Sequence, residues 1–189
     1  MFRQIPISAH KIHGPKGVGA LYVKDGIKLA PLILGGSHEK GYRGGTEALP
    51  AAAGFGEAAR LGVSELDDIS GHVRGLREYI IKRLNDRVPG IVFILEKYDH
   101  TSPFILPVSL PGYMSEVLMS FLDGEGICVS RSAACKKGAR SRTLEAMKLK
   151  NDVIDGALRV SFSRYNTIDE AEYFVQMVKK ASEVLLKKL

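Results

Sequence analysis

The sequence contains no tryptophan and only two cysteines among its 189 residues. Aromatic residues make up 7% of the chain, and they are not interleaved with basic residues as in proteins that stack single-stranded nucleic acid. No apolar run approaches the length of about 20 residues that a membrane-spanning helix needs, and no secretion signal is recognisable. We therefore expect a cytoplasmic protein that uses neither nucleic acid nor a membrane as its partner.

The two cysteines also limit the chemistry. Without an export signal a structural disulfide between Cys128 and Cys135 is not expected, and no Cys/His spacing typical of a zinc site occurs. A hydrophobic content of 45% and a charged content of 25% are typical of a globular protein with one domain or two small ones. The net charge of +6 permits acidic partners without identifying any.

A lysine lies in a glycine-rich and proline-rich loop near the start of the sequence. Residues 8–23 read SAHKIHGPKGVGALYV, in which Ser8 and His10 flank Lys11 with hydrogen-bonding groups. Glycine and proline favour a tight loop that holds a lysine between two strands. Such a lysine suits a Schiff base with an aldehyde, but on this chemistry alone the preferred interpretation is a solvated charge beside a turn. The apolar run that ends at Val23 predicts a buried strand.

This lysine segment resembles the pyridoxal-phosphate (PLP) segment of the cysteine desulfurases, which are class V aminotransferase-like enzymes of fold type I. Three later segments resemble the family in the same order. They are residues 35–47 (GGSHEKGYRGGTE), 126–140 (GICVSRSAACKKGAR) and 157–165 (ALRVSFSRY). The resemblance implies that Lys11 holds the cofactor, and that Ser8 and His10 bind its phosphate.

The glycine-rich segment 35–47 precedes an alanine-rich stretch, so we expect it to cap the start of a helix. By resemblance, Thr46 reaches the cofactor phosphate of the partner subunit in a dimer. The sequence departs from the family at Ser37 and His38, where the usual pattern is Gly-Gln.

The two cysteines receive different interpretations. The run around Cys128 predicts a strand with this thiol packed in the core. Cys135 is surrounded in sequence by basic residues, including Arg131 and Arg140, and nearby cations lower a thiol pKa. Chemistry alone leaves Cys135 open between an incidental surface thiol and a nucleophile. The resemblance makes it the persulfide-forming cysteine, although Arg131 begins a triplet that replaces the family's Ser-Gly-Ser.

Residues 157–165 alternate between apolar and polar side chains, which predicts a strand with Arg159 on its polar face. An arginine in this position binds a carboxylate through two parallel hydrogen bonds. The resemblance assigns that carboxylate to the substrate, L-cysteine.

Alternating strands and helices predict an α/β fold, and the resemblance identifies it as the C-terminal portion of a fold type I PLP enzyme. Residues 1–68 then correspond to the end of the large-domain sheet, and residues 69–189 to the small domain. The periodicity predicts two helices or one kinked helix from residue 50 to about residue 87. It also predicts strands near residues 91–95 and 104–110, and a final helix capped by Thr167.

The implied reaction converts L-cysteine into L-alanine and places its sulfur on Cys135, for delivery to an acceptor protein in iron–sulfur cluster assembly. Family members carry an earlier half with the groups that stack on the cofactor ring and pair with its pyridine nitrogen, and no counterpart is found in this sequence. We therefore expect association with another copy or with a separate chain that supplies this half. A non-catalytic fragment, an interaction module, a selenocysteine lyase and a transaminase remain alternatives.

Overall fold

The computed structural model describes residues 2–95, 101–131 and 140–187. The chain forms two compact units, Met1–Leu66 and Asp67–Leu189. The elements in chain order are β1 (Gln4–Ser8), β2 (Gly19–Val23), α1 (Leu49–Ser64), α2 (Leu66–Arg87), β3 (Val92–Phe93), β4 (Ile105–Ser109), α3 (Ser115–Gly124), β5 (Ser130–Arg131), α4 (Arg142–Ala146), α5 (Asn151–Asp155), β6 (Ala157–Ser161) and α6 (Ile168–Val184).

The first unit is built on an antiparallel hairpin in which β1 pairs with β2, with Ile5 opposite Tyr22 and Ile7 opposite Ala20. The prediction of a strand at residues 20–23 is confirmed, but the prediction that it is buried is wrong. Every residue of the hairpin is exposed except the half-buried Val23. A continuous apolar run is typical of a strand covered on both faces, and the described residues of this unit do not provide that cover.

The helical stretch expected from residue 50 to residue 87 consists of two helices, α1 and α2, which are separated at Glu65. The expected cap from the Thr46 segment is wrong. The N-cap of α1 is Ala48, which makes no side-chain cap hydrogen bond, and a proline lies in the first turn. Pro50 has no backbone N–H and its φ is preset for a helix, so the helix begins without a polar cap.

The second unit contains a four-stranded antiparallel sheet in the order β3-β4-β6-β5. The expected strands near residues 91–95 and 104–110 are present as the shorter β3 and β4. Helices α2, α3 and α6 bury their apolar side chains against this sheet. Members of this core include Leu76, Leu84, Leu106, Leu122, Leu158 and Val175.

Helix α6 begins at the predicted cap, Thr167, and the structure shows that this cap is a reciprocal capping box. The Thr167 side chain accepts a hydrogen bond from the backbone N–H of Glu170, and the Glu170 carboxylate accepts one from the backbone N–H of Thr167. This reciprocal pair satisfies two backbone donors that a helix start otherwise leaves unpaired. It fixes where α6 starts after β6.

Glu172 joins α6 to α2. Its carboxylate accepts hydrogen bonds from Arg87, from the Tyr79 hydroxyl at 2.7 Å and from Gln176 at 3.1 Å. These donors, Arg87 first, lower the pKa of Glu172 to about 2, because each one stabilises the ionised carboxylate. Residues far apart in sequence therefore hold the two helices together.

None of the helices in the described part of the chain combines the length and the apolar character that a membrane span needs.

Candidate active site

The lysine segment forms a single turn of 3-10 helix, Ala9–Ile12, directly after β1. Ser8 is the N-cap of this turn, but its hydroxyl makes no cap hydrogen bond. The side chains of Ser8, His10 and Lys11 are all exposed. Within the described residues, then, one short turn presents a hydroxyl, an imidazole and an amine to the outside.

A buried alanine fixes this turn. Ala9 is fully buried, its backbone N–H donates to Val18 O at 3.1 Å, and its carbonyl accepts from the N–H of Gly14 at 2.9 Å. Two glycines allow the backbone to approach Ala9 and Ile7 this closely. A Cβ at Gly14 would lie 3.0 Å from the Ala9 Cβ, and a Cβ at Gly19 would lie 2.6 Å from Ile7 O. The glycine-rich sequence is thus required for the turn that presents Lys11.

Helix α1 supports the same loop from the other side. A Cβ at Gly54 would lie 2.8 Å from Pro15 Cγ, and the Cβ of Ala58 lies near the position of Gly14. Small residues on α1 therefore permit close packing against the loop. The sequence showed these small residues but gave no sign of what they contact.

Thr46 lies in the loop between residues 35 and 48, and it is exposed. The loop contains a left-handed turn at Glu39 and Lys40, whose φ values are 50° and 57°. Non-glycine residues adopt this region at a cost. A backbone hydrogen bond of 2.8 Å from Gly44 N–H to Ile33 O secures the end of the loop just before Thr46.

Arg159 lies on β6 in the second unit, between Pro107 of β4 and Ser130 of β5 in the sheet register. The alternation predicted for residues 157–165 is confirmed within β6, where Leu158 and Val160 are buried whereas Arg159 is exposed, but the strand ends earlier than predicted, at Ser161. No carboxylate among the described residues forms an ion pair with Arg159. Its guanidinium is available for a carboxylate ligand.

The strand of Arg159 is fixed by a glycine that precedes it. A Cβ at Gly156 would lie 2.2 Å from Leu110 O, and Leu110 N–H donates to Gly156 O at 3.2 Å. The buried hydroxyl of Ser109 donates to Val153 O at 2.7 Å. These contacts hold the entry to β6 against the end of β4, and so fix the position of Arg159.

Cys135 and the rest of segment 132–139 lie outside the described residues. The prediction that Cys128 is a packed core residue in a strand is wrong, because its side chain is exposed and β5 begins only at Ser130. A three-residue apolar run is too short to indicate burial by itself.

Both arginines that flank Cys135 in sequence are engaged in ion pairs, which the sequence did not reveal. Arg131 Nη2 lies 2.8 Å from Glu116 Oε1 on α3. Arg140 donates from Nε and Nη2 to the two carboxylate oxygens of Asp155, at 2.7 and 3.0 Å. Both are arginine–carboxylate contacts, and that of Arg140 is bidentate. Because each charge is already compensated, neither arginine is the free cation that the sequence suggested beside Cys135.

A cleft of about 330 Å³ opens in the second unit between α2, β6 and the start of α6. Its walls are mainly apolar, and the exposed Cys128 lies on its edge. Two backbone donors at the start of α6, the N–H groups of Thr167 and Glu170, are already occupied by the capping box. None of the residues assigned to cofactor or substrate lines the cleft.

Residues 4–174 match the family profile described as Aminotransferase class-V. The chain belongs to this family. Members of it use PLP, and the resemblance that the four sequence segments carry is confirmed.

The chain is 40% identical over 171 residues to a NifS/IcsS protein homolog of Lactobacillus delbrueckii, which covers 89% of the chain and 44% of the relative. It is 37% identical to a cysteine desulfurase of Gluconacetobacter diazotrophicus, covering 86% of the chain and 41% of the relative. A solved NifS-like protein at 33% identity superposes with a TM-score of 0.86, covering 96% of the chain and 47% of that structure. The chain thus spans somewhat less than half the length of these relatives, and the predicted fold class is confirmed.

The residues on the Lys11 turn suit the aldehyde and phosphate ends of PLP. An amine can bind the aldehyde covalently, and the hydroxyl of Ser8 and the imidazole of His10 can donate to a phosphate. The Ser8 hydroxyl makes no cap hydrogen bond to the 3-10 turn and its side chain is exposed. The donor set and its exposure therefore fit this part of the cofactor.

Proposed function

We propose that this chain carries part of the active site of a PLP-dependent cysteine desulfurase. The substrate is L-cysteine and the product is L-alanine, with the sulfur left as a persulfide on Cys135. The named relatives include a cysteine desulfurase, and another similar solved structure is described as SspA in complex with cysteine. These relatives support the proposal, although the chain spans less than half of the length of each of them.

One observation carries the proposal within the chain itself. The turn after β1 presents an amine, a hydroxyl and an imidazole together, on a backbone that the buried Ala9 and the glycines hold in place. A lysine that forms a Schiff base needs such a fixed position. A solvated surface lysine does not need this close-packed loop.

Each residue of this turn has a separate role in the proposal. Lys11 would hold the aldehyde of the cofactor and later transfer protons at its Nζ. Ser8 and His10 would donate hydrogen bonds to the phosphate, and Thr46 would reach the phosphate in a partner subunit. When bound, PLP withdraws electrons from the α-carbon of the substrate.

Arg159 and Cys135 would act on the substrate. The exposed guanidinium of Arg159 would bind the α-carboxylate and so orient L-cysteine. The thiolate of Cys135 would attack the substrate sulfur, forming an S–S bond as the carbon–sulfur bond breaks. The electron pair of the broken bond stays on the carbon, and its protonation gives L-alanine. The sulfur stays on Cys135 as the persulfide, so no further oxidant or reductant is needed.

Apolar side chains of the hairpin are exposed, which favours a second protein surface that covers them. We propose that another copy of the chain, or a chain that supplies the earlier half of the relatives, provides it. In this proposal the first unit is the end of the large domain and the second is the small domain, the complex acts in the cytoplasm, and the persulfide passes to an acceptor protein.

The test is sulfur transfer to a mapped cysteine. The chain is incubated with PLP and L-cysteine, persulfides are trapped by alkylation, and the modified peptide and L-alanine are measured. We expect persulfide on Cys135, with alanine formation abolished in Cys135→Ser and retained in Cys128→Ser. Alanine formation that survives the loss of Cys135 would instead favour a lyase that releases the sulfur without forming a persulfide on this residue, and would overturn the mechanism.

A further inference from the structure

Ser130 lies directly opposite Arg159 in the sheet of the second unit. Strands β5 and β6 are antiparallel, and their register pairs Ser130 with Arg159 and Arg131 with Leu158. Opposed residues of an antiparallel pair direct their side chains to the same face of the sheet. Ser130 and Arg159 therefore share one face, whereas Arg131 and Leu158 share the other.

The face that Ser130 and Arg159 share is the one that helices α2, α3 and α6 leave open. Leu158 is buried in the core with the apolar side chains of those helices, and Arg131 forms its ion pair with Glu116 on α3. Successive side chains of a strand alternate between the two faces, so Ser130 and Arg159 point away from the helices. Arg159 is accordingly exposed, and Ser130 is half-buried.

The pattern of backbone hydrogen bonds brings these two residues close together. Phe162 N–H donates to Phe104 O at 2.9 Å, so β6 bonds to β4 through its even-numbered residues and to β5 through odd-numbered ones such as Arg159. Ser130 and Arg159 thus form a hydrogen-bonded pair, whose Cα atoms lie about 5.5 Å apart. A long side chain covers this distance, so the guanidinium can lie beside the hydroxyl.

The other sheet neighbours of Arg159 on this face are apolar. The opposite residue on β4 is Pro107, which is buried and has no side-chain donor. Two residues earlier on β6 is Ala157, which belongs to a small apolar core with Leu144. Ser130 therefore supplies the hydroxyl that lies directly across from the guanidinium.

A carboxylate has more acceptor positions than one arginine fills. Its two oxygens offer about four lone-pair sites, and a guanidinium in bidentate contact occupies two of them. A hydroxyl beside the guanidinium can donate to a third site. Because the acceptor is ionised, such a hydrogen bond is stronger than one between neutral groups.

We propose that Ser130 is a second donor to the carboxylate that Arg159 binds, and that the two residues together form the site for the carboxylate of an α-amino acid. This inference rests on the proposed function for the identity of that ligand, L-cysteine. Donors from two neighbouring strands fix the orientation of the carboxylate as well as its position. Ser130 thereby orients the substrate in addition to strengthening its binding.

The test is carboxylate binding by the chain without its cofactor, followed through the NMR signal of the Arg159 Nε–H group. The probe is L-alanine, and the control ligand is ethylamine, which is alanine without its carboxylate. We expect L-alanine to shift the signal saturably and ethylamine to leave it in place. Ser130→Ala should raise the dissociation constant of L-alanine about threefold to tenfold, as expected for the loss of one hydrogen bond formed in competition with water.

Two variants of nearly the same shape separate the hydroxyl from packing. Ser130→Thr keeps a hydroxyl and Ser130→Val replaces it by a methyl group, and both β-branched side chains suit a strand. The threonine variant should bind L-alanine with nearly the parent affinity, whereas the valine variant should bind it as weakly as Ser130→Ala does. Ser161→Ala changes an exposed serine of the same face two residues beyond Arg159, and should leave the dissociation constant unchanged.

An unchanged dissociation constant in Ser130→Ala, equal affinity of the threonine and valine variants, or an equal loss in Ser161→Ala would overturn the role of Ser130 and leave that of Arg159 in place. An Arg159 signal that does not respond to L-alanine in the parent chain would overturn the whole carboxylate site. The measurement needs neither PLP nor turnover. Binding of L-alanine without any alanine formation from L-cysteine would therefore count against the proposed function and not against Ser130.

Discussion

The two units differ sharply in how many apolar side chains they bury. Among the described residues of the first unit, Ala9 alone is a buried apolar side chain, whereas the second unit has a large core of leucines, valines and aromatic residues. Leu32, Leu34 and Phe2 of the first unit are 95%, 78% and 76% exposed. The residues proposed to hold the cofactor thus lie where internal packing is weakest, and those proposed to act on the substrate belong to the unit with a core of its own.

The largest expected effect on the free energy of unfolding comes from replacing Gly156, in contrast to Gly56. Gly156→Ala in the second unit would place a Cβ 2.2 Å from Leu110 O, so the strand of Arg159 must shift. We expect the free energy of unfolding to fall by on the order of 4 kcal/mol, at the severe end for one substitution. The change is measured by urea denaturation followed by circular dichroism.

The matched control is Gly56→Ala in α1 of the first unit, where nothing lies within 4 Å of an added Cβ. Alanine favours a helix over glycine by about 0.5–1 kcal/mol, so this variant should be neutral or stabilising. Equal destabilisation by the two substitutions would contradict the difference in packing.

A second comparison uses two leucines. Leu84 of α2 is fully buried whereas Leu32 is 95% exposed. Leu84→Ala should cost about 2–5 kcal/mol of unfolding free energy through lost burial and a cavity, and Leu32→Ala less than about 0.5 kcal/mol. Denaturation of the two variants under the same conditions checks this. A large loss from Leu32→Ala would show that the first unit already buries this side chain in solution.

The smallest effect concerns the pH dependence of the second unit. The pKa of Glu172 is about 2 in the folded chain and about 4.5 when unfolded, so the unfolded state binds more protons between these values. The stabilisation from ionised Glu172 is present above pH 4.5 and is lost as the pH falls towards 2. Glu172→Gln should remove this part of the pH dependence, seen as a parent-minus-variant difference in urea midpoint that shrinks with falling pH. A difference that stays constant would contradict the role of its charge.

Local patterns predicted the elements of this chain well. The alternation around Arg159, the cap at Thr167 and the helical stretch from residue 50 to residue 87 all depend on residues close in sequence. The family segments likewise identified the turn of Lys11. Exposure of the hairpin was not predictable in the same way, because burial depends on elements that are not part of the strand.

Contacts between distant residues account for the remaining misses. The exposure of Cys128 depends on how much of its run pairs with β6, and three apolar residues do not determine that. The partners of Arg131 and Arg140 lie fifteen positions away on other elements, and Glu172 meets Tyr79 across 93 positions. No local sequence pattern connects residues this far apart. The sequence therefore could not show that Arg131 and Arg140 form ion pairs rather than remain free charges near Cys135.

The most direct test of the account is cofactor capture by the Lys11 turn. The chain is mixed with PLP, reduced with borohydride and digested, and the labelled lysines are identified by mass spectrometry, with the exposed Lys16 as an internal comparison. The account predicts stoichiometric labelling of Lys11, lost in Lys11→Ala. Labelling spread over Lys16 and other surface lysines, with no preference for Lys11, would contradict it.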